Sequence, residues 1–272
     1  MLYEQIVEIW RNKAIKTEAE LEAILHSYGI NFAYHSGKIE NDKITYHDTR
    51  EIFDKDGVTS YTGDLRTLFE IKNLKDAYER ILEAFEGKEY ITEDFVKEIQ
   101  KLLTKGTYDE RRYSLGERPG AYKIGDYVTG KNEVGALAED IAEEMAELLE
   151  EMQTEFYDIE EKNILMAAAY FHAKIENIHP FSDGNGRTGR LLMNYYLLMM
   201  NHPPVVIHEE DRKAYYDALE CFDSEMKLKP LRDFLEKQLE KTWEKHFDKE
   251  KSTNVKMKFC NILDKDNNTS ID

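Results

Sequence analysis

Apolar residues recur along most of this chain at intervals of three and four, the spacing that lines one face of an α-helix. Val134, Leu137, Ala138, Ile141, Met145, Leu148 and Leu149 form one such stripe, with acidic residues between them. Ile164, Ala168, Phe171, Ile175 and Ile178 form another. The same pattern predicts helices over 17–28, 63–86, 92–104, 186–201, 209–225 and 230–247. It breaks in two places. Residues 106–131 hold Gly106, Gly116, Pro119, Gly120, Gly125 and Gly130, with Tyr122, Ile124, Tyr127 and Val128 set among polar neighbours. That segment reads as a short β-hairpin or extended flap. Residues 179–186 read as a tight turn between two helices. The expected fold is therefore all-α with one short β-hairpin flap. From about Lys249 onward Lys, Asn, Asp and Ser dominate, which suits a weakly ordered tail with 255–263 as a candidate edge strand.

Composition agrees with long helices, since 272 residues include only 14 Gly and 5 Pro. Charge adds more. The chain has 37 Lys and Arg against 55 Asp and Glu, a net −18. Such a surface repels phosphodiester backbones and anionic lipid, so neither nucleic acid nor membrane is an expected partner. Basic residues that gather locally stand out against this background. Cys221 and Cys260 are the only cysteines and lie far apart, which favours neither a disulfide framework nor a zinc site. The first residues, Met1-Leu2-Tyr3-Glu4-Gln5, lack the basic and apolar regions of a signal peptide. No apolar run approaches the ~18 residues of a membrane span. A cytoplasmic protein is expected.

The chemistry concentrates at His179-Pro180-Phe181-Ser182-Asp183-Gly184-Asn185-Gly186-Arg187. Two glycines let the backbone turn sharply and present consecutive N–H groups as an anion nest. The apolar helical run beginning just after adds unpaired amides and the positive end of a helix dipole. Arg187 and Arg190, three residues apart, project from one face of its first turn. Together these make a polyphosphate site. His179, across the turn, suits a general base for a hydroxyl nucleophile. Asp183 supplies the hard oxygen that Mg²⁺ on nucleotide phosphates requires. Phe181 is expected to bury itself and anchor the loop.

The run from His179 to Arg190 resembles the HPFx(D/E)GNGRxxR signature of the Fic family, and the likeness extends through roughly 30–235. The resemblance implies a Fic-type all-helical core, ATP with Mg²⁺, and transfer of AMP to Ser, Thr or Tyr of a target protein, with self-modification. It implies that His179 is the base and Asp183 the metal ligand. Gly184, Asn185 and Gly186 would form the α-phosphate nest, with Arg187 and Arg190 on the outer phosphates. Residues 120–130 resemble the family's flap, where the target protein binds by strand addition. Val128, Thr129 and Gly130 would there contact nucleotide, although Lys123 stands where many members carry Arg. Asp211-Arg212-Lys213-Ala214-Tyr215-Tyr216 resembles the segment near the adenine pocket, with Tyr215 and Tyr216 lining the base.

Ser36-Gly37-Lys38-Ile39-Glu40-Asn41 resembles the family's inhibitory pattern, (S/T)xxxE(G/N). Four residues apart, Ser36 and Glu40 share a helix face. The resemblance implies that Glu40 occupies the Arg190 fork bidentately, as a self-inhibiting carboxylate. The expected organisation is an N-terminal helical segment over 1–60, a catalytic core over 61–248 and a tail over 249–272. Two alternatives stay open: an enzyme that also removes AMP, with Glu40 orienting a water, and a module that binds nucleotide without turnover. Self-association into a homo-oligomer stays open as well.

Overall fold

The computed structural model describes residues 2–59, 61–126, 135–244 and 247. Helix α1 spans Tyr3–Asn12, α2 Glu18–Glu40, α3 Tyr46–Lys55, α4 Leu65–Gly87, α5 Glu93–Leu103, α6 Glu110–Ser114 and α7 Ile141–Glu151. Then come α8 at Ile164–Ile178, α9 at Asn185–Met199, α10 at Arg212–Glu225 and α11 over 229–244. The described residues contain no strand, and none of their helices is long and apolar enough to cross a membrane.

Side-chain caps start several of these helices. Thr17 and Glu20 form a reciprocal capping box at α2, while Thr45, Asp64 and Thr92 each accept an amide at the start of α3, α4 and α5. The antiparallel pair α8 and α9 forms the centre. From Leu191 to Leu198 every α9 side chain is buried, so this helix is covered on all sides. Helices α2, α4, α5 and α8 pack around it.

Three expectations change. First, α1 and α3 are additional helices, and α2 runs twelve residues beyond the expected end at 28. Helix α1 forms because Trp10 docks edge-on against Trp243 at 5.2 Å, a contact set by tertiary packing. In α2, Gly29 is required because a Cβ there would lie 2.6 Å from the Tyr78 ring. Second, α7 begins only at Ile141, leaving Leu137 and Ala138 outside it, while Val134 lies outside the described residues. The Ala136 amide is taken by the Ile178 carbonyl at 2.9 Å, and that of Ala138 by the Asp126 carboxylate at 2.8 Å. Both are thereby diverted from a helical ladder. Third, the described part of 106–131 is no hairpin. Asp109 caps the short helix α6, and turns carry the chain on to Asp126. The remainder of that flap and the 249–272 tail lie outside the described residues.

Candidate active site

Helix α8 ends because His179 adopts the left-handed conformation, with φ 51° and ψ 60°. A non-glycine residue there is strained, and here the turn swings the imidazole to the edge of a cavity of ≈ 630 Å³. That volume falls within the roughly 300–1,000 Å³ of small-molecule sites. His179, Asp183, Gly184, Asn185, Gly186, Arg187 and Arg190 all line it, with Glu40 and Glu176 opposite.

Buried residues hold the turn. Phe181 is fully enclosed against Tyr122, with ring centroids 5.6 Å apart. The Asn185 amide donates to the Phe181 carbonyl at 2.7 Å and accepts the Phe181 N–H at 2.9 Å, so its side chain braces the loop. Gly184 has φ 83°, a conformation that disfavours a side chain, and its carbonyl accepts the Thr188 amide. The first-turn amides of α9 thus remain without intrahelical partners, as an anion site requires. Gln100, on the otherwise apolar face of α5, donates to the Asp183 carbonyl at 2.9 Å and accepts the Gly120 amide at 2.6 Å. Lys123 N–H reaches the Pro180 carbonyl at 2.9 Å, so one flank of the flap segment is tied to the same turn.

The two arginines diverge. Arg187 turns toward α5, its guanidinium 3.1 Å from Asp183 and 3.4 Å from the Leu103 carbonyl. Arg190 turns toward α2 and is buried. Its Nε donates to Ser36 Oγ and Nη2 to the Ser36 carbonyl, each at 3.0 Å. Nη2 also donates to Glu40 Oε1 at 2.7 Å. Glu40 therefore engages the fork through one nitrogen, not bidentately, because Ser36 already occupies the inner edge. The carboxylate sits directly on the nest: a Cβ at Gly186 would lie 2.4 Å from Glu40 Oε1.

The tyrosine pair splits. Tyr216 lines the cavity and is half-exposed. Tyr215 is fully buried, and its hydroxyl meets His172 Nε2 at 2.7 Å and Arg190 Nη1 at 3.4 Å, bracing Arg190 from behind. Val128, Thr129 and Gly130 lie outside the described residues.

Burial, reinforced by the Lys123 charge, lowers His179 to about 4, so the imidazole is neutral at pH 7 and can accept a proton. Burial raises Glu176 to about 7 against the opposing pull of Arg190.

Sequence reasoning missed Glu176, Gln100, Arg66 and Arg112. Gln100 left a trace, as the one polar residue in the buried stripe Phe95, Val96, Ile99, Gln100 and Leu103. Arg66 and Arg112 left none, yet each places Nη2 near Asp183 Oδ2, at 3.4 and 3.6 Å. The Asp183 carboxylate thus stands among three guanidinium groups.

A metal fits here only in part. Among the described residues no group of three or more carboxylates, histidines or cysteines converges. Asp183 is a single oxygen donor on the cavity wall, which suits Mg²⁺ that takes its other ligands from nucleotide phosphates and water.

Residues 90–197 match the model of the Fic/DOC family. The chain is 30% identical over 212 residues to the protein adenylyltransferase Fic of Drosophila persimilis, covering 77% of this chain and 39% of that protein. It is 28% identical over 190 residues to the protein of that name from Nematostella vectensis, covering 68% and 41%. The chain thus spans about two-fifths of these relatives' length. A Fic domain containing signaling protein from Bacteroides thetaiotaomicron superposes with a TM-score of 0.73 at 25% identity, covering 88% of this chain and 93% of the other. Fic-1 (aa134–508) from C. elegans superposes with a TM-score of 0.73 at 21% identity, covering 92% and 73%, a likeness of fold.

Proposed function

Because this chain belongs to the Fic/DOC family, we propose that it is a protein adenylyltransferase restrained by its own Glu40. The observation that carries this reading is one contact: Glu40 lies on Arg190 and over Gly186, where the phosphates of ATP would dock, across the cavity from a neutral His179. A purely structural turn needs neither an imidazole at the cavity edge nor a carboxylate over an anion nest.

The acceptor is a Ser, Thr or Tyr hydroxyl presented along the flap segment 120–130. Its oxygen attacks the α-phosphorus while His179 takes the proton. The bond from the α-phosphorus to the bridging oxygen breaks, and pyrophosphate leaves. The α9 amides stabilise charge on the α-phosphate, and Arg187 and Arg190 hold the outer phosphates. Mg²⁺ carried in on the nucleotide and held by Asp183 would neutralise phosphate charge. While Glu40 holds Arg190, the γ-phosphate has no seat and the α-phosphate is not aligned for attack. Tyr216, at the cavity wall, is the residue available to the adenine. Two cysteines without disulfide spacing support a cytoplasmic setting.

Radiolabel transfer from α-labelled ATP to the enzyme itself and to lysate proteins tests the reading. ATP that binds without any label transferred, even in Glu40→Gly, would make the domain a nucleotide-binding module. Glu40 Oε2, without a partner among the described residues, supports a second activity in which this oxygen orients a water to remove AMP. Release of AMP from labelled enzyme by wild type, and not by Glu40→Gly, tests that activity.

A further inference from the structure

Helix α5 has two working faces. Gln100 and Thr104 point inward to the catalytic turn, where Thr104 Cγ2 would lie 2.8 Å from a Cβ at Gly184. Lys101, Leu102 and Lys105 point outward, where the returning loop brings Tyr113, Arg118 and Pro119 against them around a groove of ≈ 530 Å³. Leu102, Pro119 and Tyr113 give the groove an apolar floor.

Its rim is basic in a chain of net charge −18. Lys101 and Lys105 have no carboxylate partner among the described residues. Arg118 is held in place by the Tyr113 and Glu117 carbonyls, at 3.0 and 2.7 Å, and stacks 5.2 Å over the Tyr113 ring. Glu98, the one acid of the lining, is already engaged by Arg80 at 2.9 Å. Three cations without a carboxylate partner thus surround an apolar floor. The groove also leads to the site: Pro119 is followed by Gly120, bonded to Gln100, and by Lys123, bonded to the Pro180 carbonyl. Four residues of chain reach at most about 14 Å.

We propose that this groove is a docking site for an acidic segment of the target polypeptide bearing an apolar or aromatic anchor, lying within a few residues of the hydroxyl to be modified. This deepens, and rests on, the transferase reading. Carboxylates of the segment meet Lys101, Lys105 and Arg118, and the anchor enters between Leu102 and Tyr113. The rest of the acidic surface repels such a segment, so the groove supplies register as well as affinity.

The probe is a fluorescein-labelled random copolymer of glutamate and tyrosine, with a lysine–tyrosine copolymer as its counterpart. Fluorescence anisotropy is read on wild type and on Lys101→Glu/Lys105→Glu/Arg118→Glu. A remote triple, Lys16→Glu/Lys229→Glu/Lys237→Glu, carries the same change of net charge. The groove triple is expected to weaken glutamate–tyrosine binding roughly tenfold or more, while the remote triple changes it by no more than about twofold. The double variant Lys101→Glu/Lys105→Glu repeats the test without touching the carbonyl bonds of Arg118. No binding of the acidic copolymer by wild type, equal losses in both triples, or tighter binding of the basic copolymer would each overturn the proposal. Self-modification from α-labelled ATP is followed in parallel. Its absence with groove-dependent binding intact would overturn the transferase reading and leave the docking site standing.

Discussion

Replacing Glu40 with Gly should raise AMP transfer by roughly five- to thirtyfold. The figure follows from the contact. One charge-assisted hydrogen bond, Arg190 Nη2 to Glu40 Oε1 at 2.7 Å, is what a γ-phosphate would have to displace from Arg190 under the proposed function. Such a bond contributes about 1.5–3 kcal/mol when sheltered. The Arg190 side chain is 2% exposed but that of Glu40 is 36% exposed, so solvent screening brings the contribution to about 1–2 kcal/mol. A bidentate pair would have suggested more. Because Glu40 ends α2, a glycine there costs little helix stability. The substitution leaves Arg190 with Ser36 and Tyr215, so melting without ligand should occur slightly lower and ATP should raise Tm more than in wild type. Initial rates of transfer from α-labelled ATP are compared for wild type, Glu40→Gly, Arg190→Ala and Glu40→Gly/His179→Ala. Arg190→Ala should not be activated, since it deletes the phosphate seat with the inhibitory contact. An unchanged rate in Glu40→Gly would refute the competition argument while leaving the catalytic turn intact. A stimulated rate that survived in the double variant would refute His179 as base.

In Glu40→Gly, the acid limb of kcat/KM assigned to His179 should fall at or below about pH 4 instead of near 6.5, because the variant also removes the Glu40 charge that raises the imidazole, and Lys123→Met should move it upward by removing the second cause of the lowering. Asp183→Ala should shift the magnesium activation curve to higher concentration by more than it weakens ATP binding, read by calorimetry; coincident curves would exclude Asp183 as the ligand. Folding stability should decline as pH falls from about 6.5 toward 4. His35, His179 and His202 are each lowered to about 4, and His172 to about 3, so the unfolded chain binds these protons first. Glu176, raised to about 7, binds its proton first in the folded state and offsets one of them. Chemical denaturation across that range checks the sign. Gly29→Ala, which forces a methyl into the buried Tyr78 ring, should destabilise the fold by about 1–3 kcal/mol with little effect on transfer.

Local signals in the sequence were enough to locate the turn between α8 and α9. His179, Gly184 and the start of α9 lie within seven residues, and the left-handed φ at Gly184 and the open first turn of α9 follow from short-range chemistry, whereas the strained φ at His179 and the burial of Phe181 against Tyr122 are imposed by packing. The long amphipathic helices were legible for the same reason, since a 3.6-residue period is a property of the chain alone. The second half of α2 was not. The expected helix stopped at 28, and the close approach of Tyr78 to Gly29 and of Ile44 to Gly37, which fixes the stretch beyond it, is set by other segments. The Glu40–Arg190 contact joins residues 150 apart, and a pattern resemblance could suggest the partners but not the single-nitrogen geometry that Ser36 imposes. Tyr215 and Tyr216 are neighbours of one chemistry, and only packing decided that one braces Arg190 while the other faces the cavity. Arg66 and Arg112 come from different helices and meet at Asp183 only in the folded chain. The reason is physical: backbone turns and helix periods depend on residues a few positions apart. Ion pairs, burial and the pKa shifts that burial produces depend on which distant segments are brought against one another.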